Sequence, residues 1–198
     1  MTRRAKTLRL RIFAGPNGSG KSTVIQSVKD KVLNNRHIDF GIYINADEIA
    51  KNLRKNHFSF STFKLRELTL ELFVDVALSS GLINKTYTKD KFLASFTLEG
   101  NKIYLNDHSS LDRLAQIIAD FLRERLLIEQ QKISFETVFS HESKLDYMKK
   151  AKAAGYKIYL YFVATESPEI NVMRVANRVR KGGHDVPEDK IRKRYTGA

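Results

Sequence analysis

No cysteine occurs among the 198 residues, which excludes disulfides and thiolate metal sites. That absence is compatible with a reducing cytoplasm, the expected location. No uninterrupted apolar run approaches the roughly 20 residues that cross a bilayer, so no membrane span is expected. The basic start, Met1 to Lys6, does not read as a signal peptide, because the apolar stretch after it is short and broken by Arg9 and Arg11. Acidic residues are scarce: 22 Asp and Glu stand against 35 Lys and Arg, a net charge of +13. Such a balance suits an anionic substrate, nucleic acid or an acidic protein partner, and equally a solvated basic surface with no partner. The basic, aromatic-interleaved signature of an RNA-recognition module is missing, so charge alone does not make the chain a nucleic-acid binder. What is present, 42% apolar and 29% charged residues, is a globular composition, and 198 residues suffice for one domain with a real core.

The chain is organised around Gly15-Pro16-Asn17-Gly18-Ser19-Gly20-Lys21-Ser22, which reads G-x-x-x-x-G-K-S. This is the pattern of a phosphate-binding P-loop. Leu8 to Ala14 before it reads as a strand. Ser22 to Leu33 after it has no Gly or Pro and spaces Val24, Ile25, Val28 and Val32 at helical intervals. The motif thus stands between a strand and a helix start. There its glycines let backbone N–H groups turn toward phosphate oxygens and the helix terminus adds partial positive charge. The segment Gly15 to Thr23 is the expected ATP site, with Lys21 reaching the β- and γ-phosphates and the Ser22 hydroxyl on Mg²⁺.

Further along, Phe40 to Ile44 reads as a second strand, leading to Asn45-Ala46-Asp47-Glu48. Ligands gather at the carboxyl ends of strands in open α/β sheets, which would turn Asp47 toward the P-loop; a helix N-cap is the other reading of Asp47. His57 to Thr62 reads as a connection. Leu65, Leu68, Leu72 and Val76 form an amphipathic helix ending near Gly81. Phe92 to Leu98 and Lys102 to Leu105, around Glu99-Gly100-Asn101, predict a β-hairpin within 86–107, either a substrate lid or a surface decoration. Ser110 caps a long helix with the buried stripe Leu111, Leu114, Ile117, Ile118, Phe121, Leu122 and Leu126. Ile133 to Phe139 reads as a third strand, in which Glu136 requires a partner unless the strand is an edge showing it to solvent. A helix over Glu142 to Ala154 stops at Gly155, and Tyr156 to Val163 is a fourth strand. Ser167-Pro168 starts a helix with an apolar face (Val172, Val175, Ala176, Val179) and a basic stripe (Arg174, Arg178, Lys181). The stripe reads either as a solvated face or as a lid closing on transferring phosphate, hinged at Gly182-Gly183. Pro187 opens a last, basic helix.

This order is the plan of a small P-loop kinase, and its details resemble the zeta toxin family. The residues that carry the resemblance are Gly15 to Ser22, the Asn45–Asp47 segment, Ser134-Phe135-Glu136-Thr137, Ala154-Gly155-Tyr156, and Arg178 through Lys181-Gly182-Gly183-His184-Asp185-Val186-Pro187. The resemblance implies an ATP- and Mg²⁺-dependent kinase acting on the sugar 3′-hydroxyl of UDP-N-acetylglucosamine. It also implies a separate antitoxin protein as partner, since no antitoxin segment is recognisable here. In that family Asp47 corresponds to the base that takes the hydroxyl proton, Glu136 to an acidic residue near metal and substrate, and Arg178 to a phosphate-stabilising arginine beside Lys21. The implied substrate-binding set is Asn45, Asp47, Glu136, Thr137, Arg174 and His184, and the implied metal set is Ser22 and Glu136. His184 stands where some members carry a second arginine, and neutral histidine is the weaker clamp. Members commonly continue with a further strand and helix, so the resemblance implies a chain shortened at its carboxyl end.

The expectation is therefore an α/β fold of P-loop NTPase type, a mainly parallel sheet flanked by helices, with an inserted hairpin and an Arg-rich helical lid, in a single domain over 1–198. Two other functions fit the residues: a polynucleotide kinase, and a nucleotide-binding interaction module without catalysis.

Overall fold

The central strand β1 (Arg9–Ala14) is buried along nearly its whole length, Leu10, Ile12, Phe13 and Ala14 being fully inaccessible. Burial on both faces is the signature of a strand inside a parallel sheet. In this computed structural model, residues 7–139, 143–183 and 185–197 are described. After β1 come α1 (Lys21–Asp30), β2 (Val32–Leu33), β3 (Arg36–His37), β4 (Ile42–Ile44), α2 (Ala46–Lys55) and β5 (His57–Ser59). Then follow α3 (Leu70–Ser79), α4 (Lys89–Ala94), β6 (Phe96–Glu99), β7 (Lys102–Leu105), α5 (Leu111–Ile128) and β8 (Ile133–Thr137). The chain closes with α6 (Ser143–Ala153), β9 (Lys157–Phe162), α7 (Pro168–Arg180) and α8 (Glu188–Thr196).

The main sheet has the order β4-β8-β1-β9, with β1 parallel to both neighbours. The fold is the expected P-loop NTPase type, a mainly parallel sheet flanked by helices. Contacts divide the chain into two compact units: Met1–Tyr43 with Lys132–Ala198, and Ile44–Gln131. The expectation from residue order is a single domain over 1–198.

Several predicted elements are corrected. The helix after the P-loop ends at Asp30, and Val32 belongs to β2, which pairs with β3 as Val32↔His37 and Leu33↔Arg36. Asn34 and Asn35 make the turn with φ of 50° and 59°, the left-handed pair that a two-residue hairpin loop demands. Gly41, at φ 65°, breaks the predicted second strand so that only Ile42–Ile44 remains. The segment read as a connection contains β5, which pairs with β7 and extends the predicted hairpin to a three-stranded sheet, β5-β7-β6. The first part of that hairpin segment is instead α4, capped by Thr88, whose hydroxyl accepts from the Lys91 N–H. Helix α3 starts at Leu70, after the Thr69 cap, so Leu65 and Leu68 lie outside it. On α7 only Val175 of the four apolar residues is fully buried; Val172 is partly covered, and Ala176 and Val179 are exposed.

The second unit is built on aromatic packing. α5 lies against α2 and α3, and its predicted stripe is buried throughout. Phe73, fully inaccessible, meets the rings of Phe121 (5.1 Å), Phe96 (5.3 Å), Phe92 (5.9 Å) and Phe60 (6.3 Å). Removing the hub of such a cluster leaves a cavity that four rings cannot fill. We expect Phe73→Ala to cost about 3–5 kcal/mol, measured by urea unfolding; a loss below about 1 kcal/mol would show the cluster to be loosely packed.

Candidate nucleotide-binding site

The P-loop leaves the carboxyl end of β1 and closes on α1. Gly15, Gly18 and Gly20 have φ of 138°, 79° and 101°, a backbone path that side chains oppose. Space forbids side chains as well. A Cβ on Gly15 would stand 2.0 Å from the Val163 carbonyl oxygen, and one on Gly18 would stand 2.5 Å from that of Asn171. Lys21 Nζ donates to the carbonyls of Gly15 (2.8 Å) and Pro16 (3.0 Å), strapping the loop across its mouth. Pro16 is buried and its carbonyl also accepts from the Ser19 N–H at 3.3 Å. Ser19 is buried and its hydroxyl has no partner among the described residues, whereas Ser22 and Thr23 are exposed on the first turn of α1. The glycine cradle, the buried Ser19 hydroxyl and the lysine strap fit a nucleotide polyphosphate.

Strand pairing brings Glu136 and Thr137 to the same end of the sheet. In register, Phe13 faces Glu136 and Ala14 faces Thr137, immediately before Gly15. Glu136 is half-buried and accepts from the Tyr43 hydroxyl at 3.2 Å, so β8 is not an edge strand and the carboxylate is not simply solvated. Ser134, buried two residues earlier, donates its hydroxyl to the Phe40 carbonyl.

Helices α7 and α8 complete this side. Arg174 Nη1 donates to the Ser19 carbonyl at 3.2 Å, which ties one member of the basic stripe to the loop. Arg178 is half-buried one turn later, and its side chain leaves no room for a Cβ on Gly183 (2.5 Å from Cγ). Arg194 of α8 donates to Asn17 Oδ1 at 2.8 Å. Asn171 is fully buried and accepts from the Thr165 hydroxyl at 2.5 Å. Arg194, Asn171 and Tyr43 were missed from sequence. Arg194 is embedded among Arg192 and Lys193, and no spacing distinguishes it from them.

Asn45 and Asp47 belong to the second unit. Asn45, not Asp47, is the N-cap of α2, its Oδ1 accepting from the Asp47 N–H (2.8 Å) and the Glu48 N–H (3.4 Å). Capping therefore does not occupy the Asp47 carboxylate, which is exposed. His184 lies outside the described residues.

This chain matches the AAA domain family, AAA_33, over residues 10–195. It belongs to that family. The family is of P-loop NTPase, kinase-like type, and membership supports nucleotide binding by this AAA domain. An uncharacterized protein of Haemophilus influenzae is 37% identical over 68 residues, covering 33% of this chain and 49% of that protein. The chain thus spans about half the length of the curated relative it matches. No solved structure matches it significantly. Among the described residues, no helix of this AAA domain is long and apolar enough to cross a membrane.

Two outcomes are expected. Gly18→Ala should weaken ATP binding at least tenfold, about 1.4 kcal/mol, in a fluorescent-nucleotide titration, because the loop must move to clear Asn171. The second concerns the α7–α8 tether, in which Arg192 bridges Glu169 and Glu188. Arg192, and then Ser167, hold the Glu169 carboxyl down to about 2 from the ordinary 4.5. A depressed carboxylate stabilises above its unfolded pKa and loses that contribution as pH falls through the folded one. The melting-temperature difference between wild type and Glu169→Gln should therefore be constant above pH 4.5 and shrink between 4.5 and about 2.

Proposed function

We propose that the chain is an ATP- and Mg²⁺-dependent kinase that phosphorylates a hydroxyl of a small anionic substrate, a nucleotide sugar such as UDP-N-acetylglucosamine. We propose further that it acts as a zeta-type toxin restrained by a separate antitoxin protein. The observation that carries the reading is Glu136, held by Tyr43 and strand register beside a P-loop that Lys21 straps and Arg174 backs. A carboxylate next to a polyphosphate cradle suits a cation between them, since Mg²⁺ is bound through one or two carboxylates plus phosphates.

When bound, MgATP supplies the phosphoryl group: the substrate oxygen bonds to the γ-phosphorus as the β–γ bridging bond breaks, and ADP leaves. Lys21 exchanges its carbonyl bonds for phosphate oxygens and neutralises their charge. Ser22 and Glu136 hold the metal. Arg174 and Arg178 supply cations where charge spreads in the transition state. Asp47 takes the hydroxyl proton as base; its exposed carboxylate, uncommitted to the α2 cap, supports that role. Asn45, Thr137 and His184 contribute hydrogen bonds to the substrate.

Transfer of radiolabelled γ-phosphate tests the proposal, with UDP-N-acetylglucosamine, other nucleotide sugars and short RNA as acceptors. Label should appear on a nucleotide sugar. Asp47→Asn should reduce it about 10²- to 10⁴-fold while ATP binding persists. Lys21→Ala should lose both. Label on RNA instead would replace the acceptor, and an undiminished Asp47→Asn rate would remove the base.

A further inference from the structure

A second cationic site lies at the other end of β1. Arg9, Arg11, Arg36, His37, Lys132 and Tyr159 line a cleft of about 570 Å³, within the range of small-ligand sites. Arg9 stands at the start of β1, five residues before its end, so about 16 Å of strand separates it from the P-loop.

Arg11 is the unusual residue. It occupies a central strand and is only 7% exposed. Its guanidinium lies over the Tyr159 ring (5.2 Å) and the Phe40 ring (5.9 Å), and Nη1 donates to the Asp39 carbonyl at 2.5 Å. Its Nε is buried with no hydrogen-bond partner among the described residues. The one carboxylate lining the cleft, Asp39, is already engaged. Lys132 pairs with it and is the chief cause of its lowered pKa, and the Gly41 N–H donates to it at 2.9 Å. Four cations, Arg9, Arg11, Arg36 and Lys132, thus face a single acid. A buried guanidinium whose Nε makes no hydrogen bond, beside a carboxylate already paired with Lys132, is destabilising, and an apolar residue would fill the position better. The cost is recovered when an anion with several oxygens enters.

We propose that this cleft binds a phosphate-bearing ligand, held by Arg9, Arg11 and Arg36, at a site separate from the P-loop. Planar guanidinium groups match phosphate oxygens two at a time, which favours phosphate over a single carboxylate. The same chemistry is presented by a free polyphosphate anion and by the backbone of a single-stranded nucleic acid.

The test uses the full chain carrying Lys21→Ala, which silences the P-loop. Inorganic tripolyphosphate is titrated by calorimetry, and a fluorescein-labelled ten-nucleotide RNA by anisotropy. At least one probe should bind, and Arg9→Gln with Arg36→Gln should weaken it about tenfold per arginine. Tighter tripolyphosphate binding identifies a free anion. Tighter RNA binding, with a salt slope that falls by about one for each arginine removed, identifies a strand. Arg11→Met should abolish binding with an unchanged or raised melting temperature, whereas an arginine with a purely structural role would lower it. Failure of both probes to bind, or binding unaffected by the Arg9 and Arg36 substitutions, overturns the proposal.

Discussion

The parallel pairing of β1 with β8 on one side and β9 on the other is the constraint on which the nucleotide site depends. One register aligns Phe13 and Ala14 with Glu136 and Thr137, and the other aligns them with Tyr161 and Phe162. Because strands in a parallel sheet end together, three chain exits converge at one edge. Gly15 emerges against Val163, whose carbonyl leaves no room for a side chain there. A one-residue slip of β8 would reverse every side chain on it and remove Glu136 from this edge.

The loop is then held from outside as well as within. Lys21 binds two of its carbonyls, Arg174 a third, and Arg194 the Asn17 side chain, while the Asn171 backbone closes over Gly18. Helices α7 and α8 are joined by Val175, Val186 and Ile191 and by the Arg192 bridge to Glu169, while Arg192 also pairs within α8 with Glu188. Tyr195 adds a hydrogen bond to the Thr165 carbonyl at 2.8 Å. Arg174 of the basic stripe of α7 is thereby a support for the loop as well as a source of charge. A fixed cation near a phosphate cradle reduces the reorganisation needed when charge develops.

The second unit follows a different logic. Its stability derives from rings packed edge to face around Phe73 and from local caps, Asn45 on α2, Thr69 on α3 and Thr88 on α4. These are short-range devices, and most of their signals are short-range in sequence. The long stripe of α5 was legible for this reason, as was the turn at Glu99-Gly100-Asn101. β5 was not legible: three residues, His57-Phe58-Ser59, carry too little periodicity, and only pairing with β7 makes them a strand.

The amino-acid sequence by itself determined the P-loop and its place between strand and helix, the α/β class, the succession of the main strands along the chain, and the core face of α5. Each of these is a local pattern of residue type and spacing, and spacing survives without coordinates. Only the tertiary structure decided that Glu136 is engaged by Tyr43 rather than solvated, and that Arg174 and Arg194 grip the loop from 155 and 177 residues away. It also decided that Asn45 rather than Asp47 caps α2, and that Arg11 is buried with its Nε lacking a hydrogen-bond partner among the described residues. A cation's role depends on which carbonyl or carboxylate it meets, and that meeting is set by strand register and helix docking. One arginine among 35 basic residues carries no mark of it.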